Sequence, residues 1–272
     1  MLVAVDTGGT KTLVTGFLED GKAGAMIKFP TPPREEDYVT LLRNTIIEQF
    51  YGKPVEAIVI AMPGIVKDGV AIWCNNLHWK NFNVGKALKG ILGKDVPVFI
   101  ENDANLAGLA EARALAPMPE SVLYVTVSTG IGTGIITDGH IDPGLRYSEG
   151  GRTLVEYKGE IREWETFASG KAIRRTYGKY ASEIKNKRTW DSVADRLSRG
   201  FLATIPILQP DAIVIGGSIG TYYDNYATRL QDILEEHLPA HIPLPRFYKA
   251  KHPEEAVIYG CYYYALDQLT RR

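Results

Sequence analysis

Thiols are nearly absent: the 272 residues include two cysteines, Cys74 and Cys261, far apart and in no paired spacing. A disulfide framework and a thiolate zinc centre are thereby excluded. No apolar run approaches the ~20 residues that a membrane helix requires. No basic region precedes the apolar start of MLVAVDTGGTKTLVTGF, which reads as a strand, so no signal peptide is expected and a reducing cytoplasm is the expected location. An excess of either charge is also missing. Lys and Arg number 31 against 32 Asp and Glu, a formal net charge of −1. That balance lacks the electrostatic footprint of a nucleic-acid binder. The run Lys185-Asn186-Lys187-Arg188 reads as a solvated helix end or loop. His78, His140, His237, His241 and His252 show no metal-ligand spacing, and solvated or structural roles are their default.

What is present is an ordinary globular composition, 45% hydrophobic, long enough for one large domain or two smaller ones. Leu2 to Val5 is a buried strand ending at Asp6, Thr7 to Thr10 a tight turn, and Lys11 to Leu18 a second strand. Strand, glycine turn, strand differs from a Walker or Rossmann unit, where the glycine turn opens a helix. A third strand is expected at Ala25–Phe29 and a helix from Glu35 to Tyr51, with Tyr38, Leu41, Leu42, Thr45, Ile46 and Phe50 on one side. Val55–Ala61 is a strand stopped by Pro63-Gly64, and Val66–Trp73 a small hairpin through Asp68-Gly69. Val84–Leu92 reads as a helix capped by Asn83, Val96–Ile100 as a strand, and Ala104–Leu115 as a helix. The stretch APMPES from Ala116 is a candidate domain boundary. The opening theme then returns, with strand Val122–Val127, turn Ser128-Thr129-Gly130 and strand Gly132–Thr137, a weak repeat of structure. Helices are expected over 164–177, 189–208, 220–238 and from about Pro253 to Leu269, and a buried strand at Ala212–Ile215.

Three features fit phosphoryl transfer, which needs donors around phosphate oxygens, a metal, and a group to take a hydroxyl proton. The turn Asp6-Thr7-Gly8-Gly9-Thr10-Lys11 offers close-approaching amides, and Asp6 a hard oxygen ligand for the water shell of Mg²⁺. The turn Ser128 to Gly134 repeats that logic. Glu101-Asn102-Asp103 sits between a strand end and a helix start. Asp103 there is either an N-cap or a general base.

With Pro63-Gly64, Asn76-Leu77 with Trp79, and Pro210-Asp211 leading to Gly216-Gly217, these motifs give the chain a likeness to known proteins. It resembles the ROK family of sugar kinases, of the sugar kinase/actin/Hsp70 superfamily, from Leu2 to about Ala265. The resemblance implies a two-domain α/β actin-like ATPase fold of ribonuclease H-like cores closing on a ligand cleft. It places residues 1–115 with the C-terminal helix 255–272 in a small domain and 116–254 in a larger one. It implies ATP and Mg²⁺, with phosphate contacts from Gly8, Gly9, Thr10, Lys11, Thr129 and Gly130, and Gly216-Gly217 against adenosine. Asp103 matches the catalytic base. Asn76, Asn102, Glu149 and Glu165 match positions around the sugar, whose 6-hydroxyl would be the acceptor.

Two departures stand out. Arg152 occupies the position where the family usually carries a His, and the family's cysteine-rich zinc loop is missing, so no structural zinc is expected. Arg152 either donates to the sugar or pairs with Glu149 or Glu165. The zinc-less layout also resembles polyphosphate-using glucokinases of the same family, for which a basic track over Lys11, Arg174, Arg175, Lys179 and Lys185 to Arg188 would be required. A sugar-responsive regulator would carry a DNA-binding segment ahead of Asp6, and an actin/Hsp70-type ATPase would not need Asp103 or the Glu149/Glu165 pair. Tyr259, Tyr262, Tyr263 and Tyr264 form a face for the N-terminal domain or for a partner, favouring a homodimer.

Overall fold

A computed structural model describes residues 1–74, 76–252 and 255–271. Internal contacts divide the chain into two units, Met1–Ala110 with Glu255–Arg272, and Glu111–Glu254. The first unit opens with β1 (Leu2–Thr7), β2 (Lys11–Phe17) and β3 (Ile27–Pro30). It continues through α1 (Glu35–Phe50), β4 (Ala57–Met62), β5 (Ile65–Lys67), β6 (Val70–Cys74), β7 (Trp79–Phe82), α2 (Val84–Leu88) and β8 (Val98–Asn102). The division falls within α3 (Asp103–Arg113). The main sheet runs β3-β2-β1-β4-β8, with β1 antiparallel to β2 but parallel to β4, and β4 parallel to β8. Every residue of β4 is buried, which explains its uninterrupted apolar run, since a parallel strand covered on both faces has no polar side. Tyr38, Leu42, Ile46 and Phe50 of α1 enter the same core. Leu41, expected beside them, is 37% exposed.

The second unit repeats the plan. It holds β9 (Ser121–Val127), β10 (Ile131–Thr137), β11 (His140–Ile141), β12 (Leu154–Tyr157), β13 (Glu160–Glu163), α4 (Glu165–Ala168), α5 (Gly170–Tyr177) and α6 (Lys187–Leu208). Then follow β14 (Ala212–Gly216), α7 (Gly217–Gly220), α8 (Ala227–His237) and β15 (Arg246–Lys249). Its sheet order is β11-β10-β9-β14-β15, again antiparallel on one side of β9 and parallel on the other. The last helix, α9 (Ala256–Thr270), belongs to the first unit. Its Tyr259 and Tyr262 rings lie 5.7 and 4.8 Å from Phe17, and Tyr264 lies 6.3 Å from Phe99. Those tyrosines cover the chain's own strands.

Several expected elements come out differently. The helix expected over 164–177 is two helices, because Ser169 adopts an extended backbone and caps α5 by accepting from the Ala172 N–H. The helix expected over 220–238 begins only at Ala227, after a 3-10 turn at Tyr223–Asn225. The Tyr222 and Tyr226 rings stack 5.7 and 5.8 Å from Trp190. The α2 helix stops at Leu88, and Gly90 and Gly93 beyond it take φ of +75° and +139°, outside the helical region. Strands β7, β11, β12, β13 and β15 were not foreseen. The expected start of the last helix at Pro253 lies outside the described residues.

Candidate active site

In the first unit, the candidate residues gather at the carboxyl end of the parallel strands. Asp6 of β1 is level with Ala61 of β4, and Ala61 with Glu101 of β8. Two strand spacings of roughly 4.8 Å therefore separate the Asp6 and Glu101 backbones. The β1–β2 turn is closed by the Gly8 N–H donating to Lys11 O at 3.0 Å. Thr31 clamps it from outside, its hydroxyl donating to Gly8 O at 2.7 Å and its N–H to Thr10 O. A Cβ on Gly9 would stand 3.2 Å from the Cβ of Asn76, so the Asn76 loop and the glycine turn touch. Trp79 is core: its indole N–H donates to Pro33 O and its ring packs on Tyr38 and Phe82.

Asn102, rather than Asp103, caps α3, its Oδ1 accepting from the Asn105 N–H at 2.9 Å. Its Nδ2 donates to Gly64 O at 2.7 Å, which fixes the Pro63-Gly64 turn against the strand end. Buried Glu101 accepts from the Asn102 N–H and from Asn105 Nδ2. Asp103 Oδ1 accepts from the Ala104 N–H at 2.8 Å. Its charge reaches the buried Cys74 thiol, which burial above all pushes up to about 12. Burial also raises the Asp6 carboxyl to about 6, with Lys11 opposing.

The second unit builds its own set, again at the carboxyl end of parallel strands. The β9–β10 turn closes with the Ser128 N–H on Gly130 O at 2.9 Å. Glu165, first residue of α4, accepts the Ile131 N–H through Oε2 at 3.2 Å. A Cβ on Gly130 would stand 2.7 Å from that oxygen, so only glycine leaves the carboxylate in place. Gly170, at the head of α5, donates its N–H to Ser128 O at 2.7 Å. Gly216 is level with Thr126 of β9, and Gly217, at φ +78°, lies against Val127 O. The Arg152 guanidinium binds Glu163 at 2.6 Å and Glu165 at 3.2 Å, a pairing with Glu165 that its sequence position allowed and one with Glu163 that it did not suggest. Burial raises the Glu149 carboxyl, Arg152 opposes that shift, and Glu165 adds to it.

The donor chemistry fits a phosphate chain. Among the described residues, the N–H groups of Gly9, Thr10, Thr129 and Gly130 donate to no protein acceptor. Such amides on tight turns are ready to meet anionic oxygens. The Asp6 carboxylate, half-buried, accepts no hydrogen bond among the described residues, as suits a group reserved for a hydrated cation. Glu163 was missed by the sequence reading. The Lys158-Gly159 pair, at φ +58° and +82°, is the turn signal that could have revealed its hairpin.

Residues 2–268 match the sequence profile described as the ROK family. The kanosamine kinase of Amycolatopsis mediterranei (strain S699) is 30% identical over 248 residues, 79% of this chain and 79% of that protein. Among solved structures, an inorganic polyphosphate/ATP-glucomannokinase from Arthrobacter sp. strain KM is 28% identical with a TM-score of 0.73, covering 98% of both chains. A ROK family glucokinase from Streptomyces griseus, solved with glucose and AMPPNP, has a TM-score of 0.81 at 22% identity. It covers 98% of this chain and 99% of its own, and shows the shared fold.

Proposed function

The chain belongs to the ROK family and is a sugar kinase of actin-like ATPase fold, and from that premise we propose that it moves the γ-phosphoryl group of ATP to the 6-hydroxyl of a hexose. The observation that carries this reading is the doubled arrangement of open amides on glycine turns. Each stands at the carboxyl end of parallel strands, with carboxylates on the same sheet end or against the turn.

The proposed roles follow from those positions. Asp103 takes the proton of the attacking hydroxyl, which becomes more acidic as its oxygen bonds to phosphorus. Asn76, Asn102, Glu149 and Glu165 hold the remaining hydroxyls. Gly8 to Lys11 and Thr129-Gly130 receive phosphate oxygens, and Gly216-Gly217 lies along the adenosine. Asp6 holds Mg²⁺ through water, and the ion supplies charge neutralisation at the phosphates. Arg152, engaged with two carboxylates, orients the sugar-binding group rather than meeting the sugar alone. We place the enzyme in the cytoplasm. Of the tyrosines that suggested a homodimer, Tyr259, Tyr262 and Tyr264 pack on Phe17 of β2 and Phe99 of β8.

A second donor is supported by a separate observation. Helix α5 exposes Lys171, Arg174 and Arg175 on one side, and its first residue is bonded to Ser128 of the phosphate turn. No acidic residue occurs from Thr166 to Ser182. A phosphate chain longer than that of ATP would find cations there, and the Arthrobacter kinase is named for both donors. The test is a coupled assay of glucose, mannose, N-acetylglucosamine and N-acetylmannosamine, each with ATP or polyphosphate. Sugar-dependent ADP release is expected with at least one acceptor. ATP hydrolysis at the same rate with and without every sugar would defeat the proposal.

A further inference from the structure

Arg152 ends a short turn whose backbone is tightly held. The Gly150 N–H donates to Thr133 Oγ1 at 3.0 Å, and Gly151 leaves no room for a Cβ against Ile131 O. Its side chain is long and could swing freely from that anchor. Two carboxylates stop it, Glu163 Oε2 at 2.6 Å and Glu165 Oε1 at 3.2 Å. The other oxygen of Glu165 accepts from the Ile131 N–H. Both oxygens of Glu165 are therefore held, by different partners, and the plane of its carboxylate is set.

We propose that Glu163 is a positioning residue for the acceptor sugar: it seats the Arg152 guanidinium, which in turn fixes the Glu165 carboxylate beside the Thr129-Gly130 turn. This rests on the reading that Glu165 binds sugar hydroxyls. Glu163 comes from the end of β13, paired with Leu154 of β12, so the β12–β13 hairpin acts as the arm that presents it. Arg152 and Glu163 are 33% and 37% exposed. A pair that open to water adds little to global stability. Its value lies in direction, because a charge-assisted bond shared between two carboxylates defines where the guanidinium sits. Without Glu163, Arg152 loses its shorter carboxylate bond, and the Glu165 plane loosens. Removing the seat thus weakens sugar binding without unfolding the chain.

The experiment measures steady-state kinetics of Glu163→Gln, Glu163→Asp and Glu165→Gln, with ATP and the best acceptor of the four-sugar panel, alongside thermal melts. Glu163→Gln is expected to raise the sugar KM by roughly tenfold, the loss of about one strong polar contact. The ATP KM should stay within about twofold and the melting temperature should hold. Glu163→Asp, which restores the charge, should recover most of the loss. Glu165→Gln should raise the sugar KM at least as much. If Glu165→Gln raises it and Glu163→Gln does not, the positioning role falls and the functional reading stands. If neither does, the assignment of Glu165 falls and this inference with it. Parallel rises in both KM values with a lower melt would mark Glu163 as merely structural and overturn the proposal.

Discussion

At the scale of the residue, two carboxylates carry separate predictions. Asp103→Asn keeps an oxygen able to accept from the Ala104 N–H, as Asp103 does now, so the start of α3 should survive. The variant cannot take a proton. Turnover is expected to fall roughly 10²-fold or more while the sugar KM changes little. Turnover near that of the parent would remove Asp103 as the base. Asp6 is different, because its cost shows in the ligand-free protein. Its carboxyl is raised from 3.8 to about 6, first by burial. Well below pH 3.8 it is protonated in folded and unfolded chains alike and costs nothing. Between there and pH 6 the unfolded chain releases its proton more readily, so stability falls as pH rises, and above 6 the penalty is complete. Asp6→Asn should therefore stabilise the ligand-free protein by about 1–3 kcal/mol at pH 8 and by only a fraction of that at pH 4. Urea unfolding at the two pH values checks this, and equal effects at both would contradict it. Loss of turnover in the same variant would mark a site that keeps a costly charge for function.

At the scale of the element, legibility followed burial. The runs Leu2–Val5, Val55–Ala61, Val122–Val127 and Ala212–Ile215 were readable as strands because, Val55, Glu56 and Thr126 aside, their residues are buried. In β12 and β13 the signal is blurred: Val155 and Tyr157 are buried, but Leu154 and Ile161 are 66% and 75% exposed, so the apolar–polar alternation that would announce the hairpin carrying Glu163 is broken. The helix break at Ser169 was hidden for another reason, since the next residue, Gly170, answers to distant backbone, Ser128 O. The candidate site was legible where chemistry sits at strand ends, as with Asp6, Asp103 and Thr129-Gly130. It was not legible where a role depends on a partner, as with Arg152. Gly260 in α9 shows how close such backbone approaches become. A Cβ there would collide with the carbonyl of Leu106 in α3, and backbone cannot swing aside as a side chain can. Gly260→Ala is expected to cost about 1–3 kcal/mol by forcing the two helices apart. Chemical denaturation with an unchanged slope would measure it, and a wild-type midpoint would show that the helices have slack.

At the scale of the whole molecule, charge decides how a long polyanion could be received. The formal net charge of −1 gives no general attraction for phosphate chains, so any affinity must come from a local field. The exposed side of α5 supplies one, with Lys171, Arg174 and Arg175 leading away from the Ser128 turn. Exposed charges are screened as salt shortens the Debye length from about 14 Å at 50 mM to about 6 Å at 300 mM. ATP, bound at its own turns and partly shielded by its cation, should feel this less. The KM for polyphosphate is therefore expected to rise severalfold more than the KM for ATP over that salt range. Arg174→Gln with Arg175→Gln should flatten the polyphosphate dependence and leave the ATP dependence unchanged. Arg174 also stacks on Tyr180, 4.0 Å from the ring centre, and Arg175 donates to Thr166 O, so single changes at either will loosen local packing as well as remove charge. The salt slope separates these effects, because lost packing shifts KM equally at every ionic strength while lost charge changes its gradient. Equal slopes for the two donors in the parent enzyme would mean that α5 receives no phosphate chain.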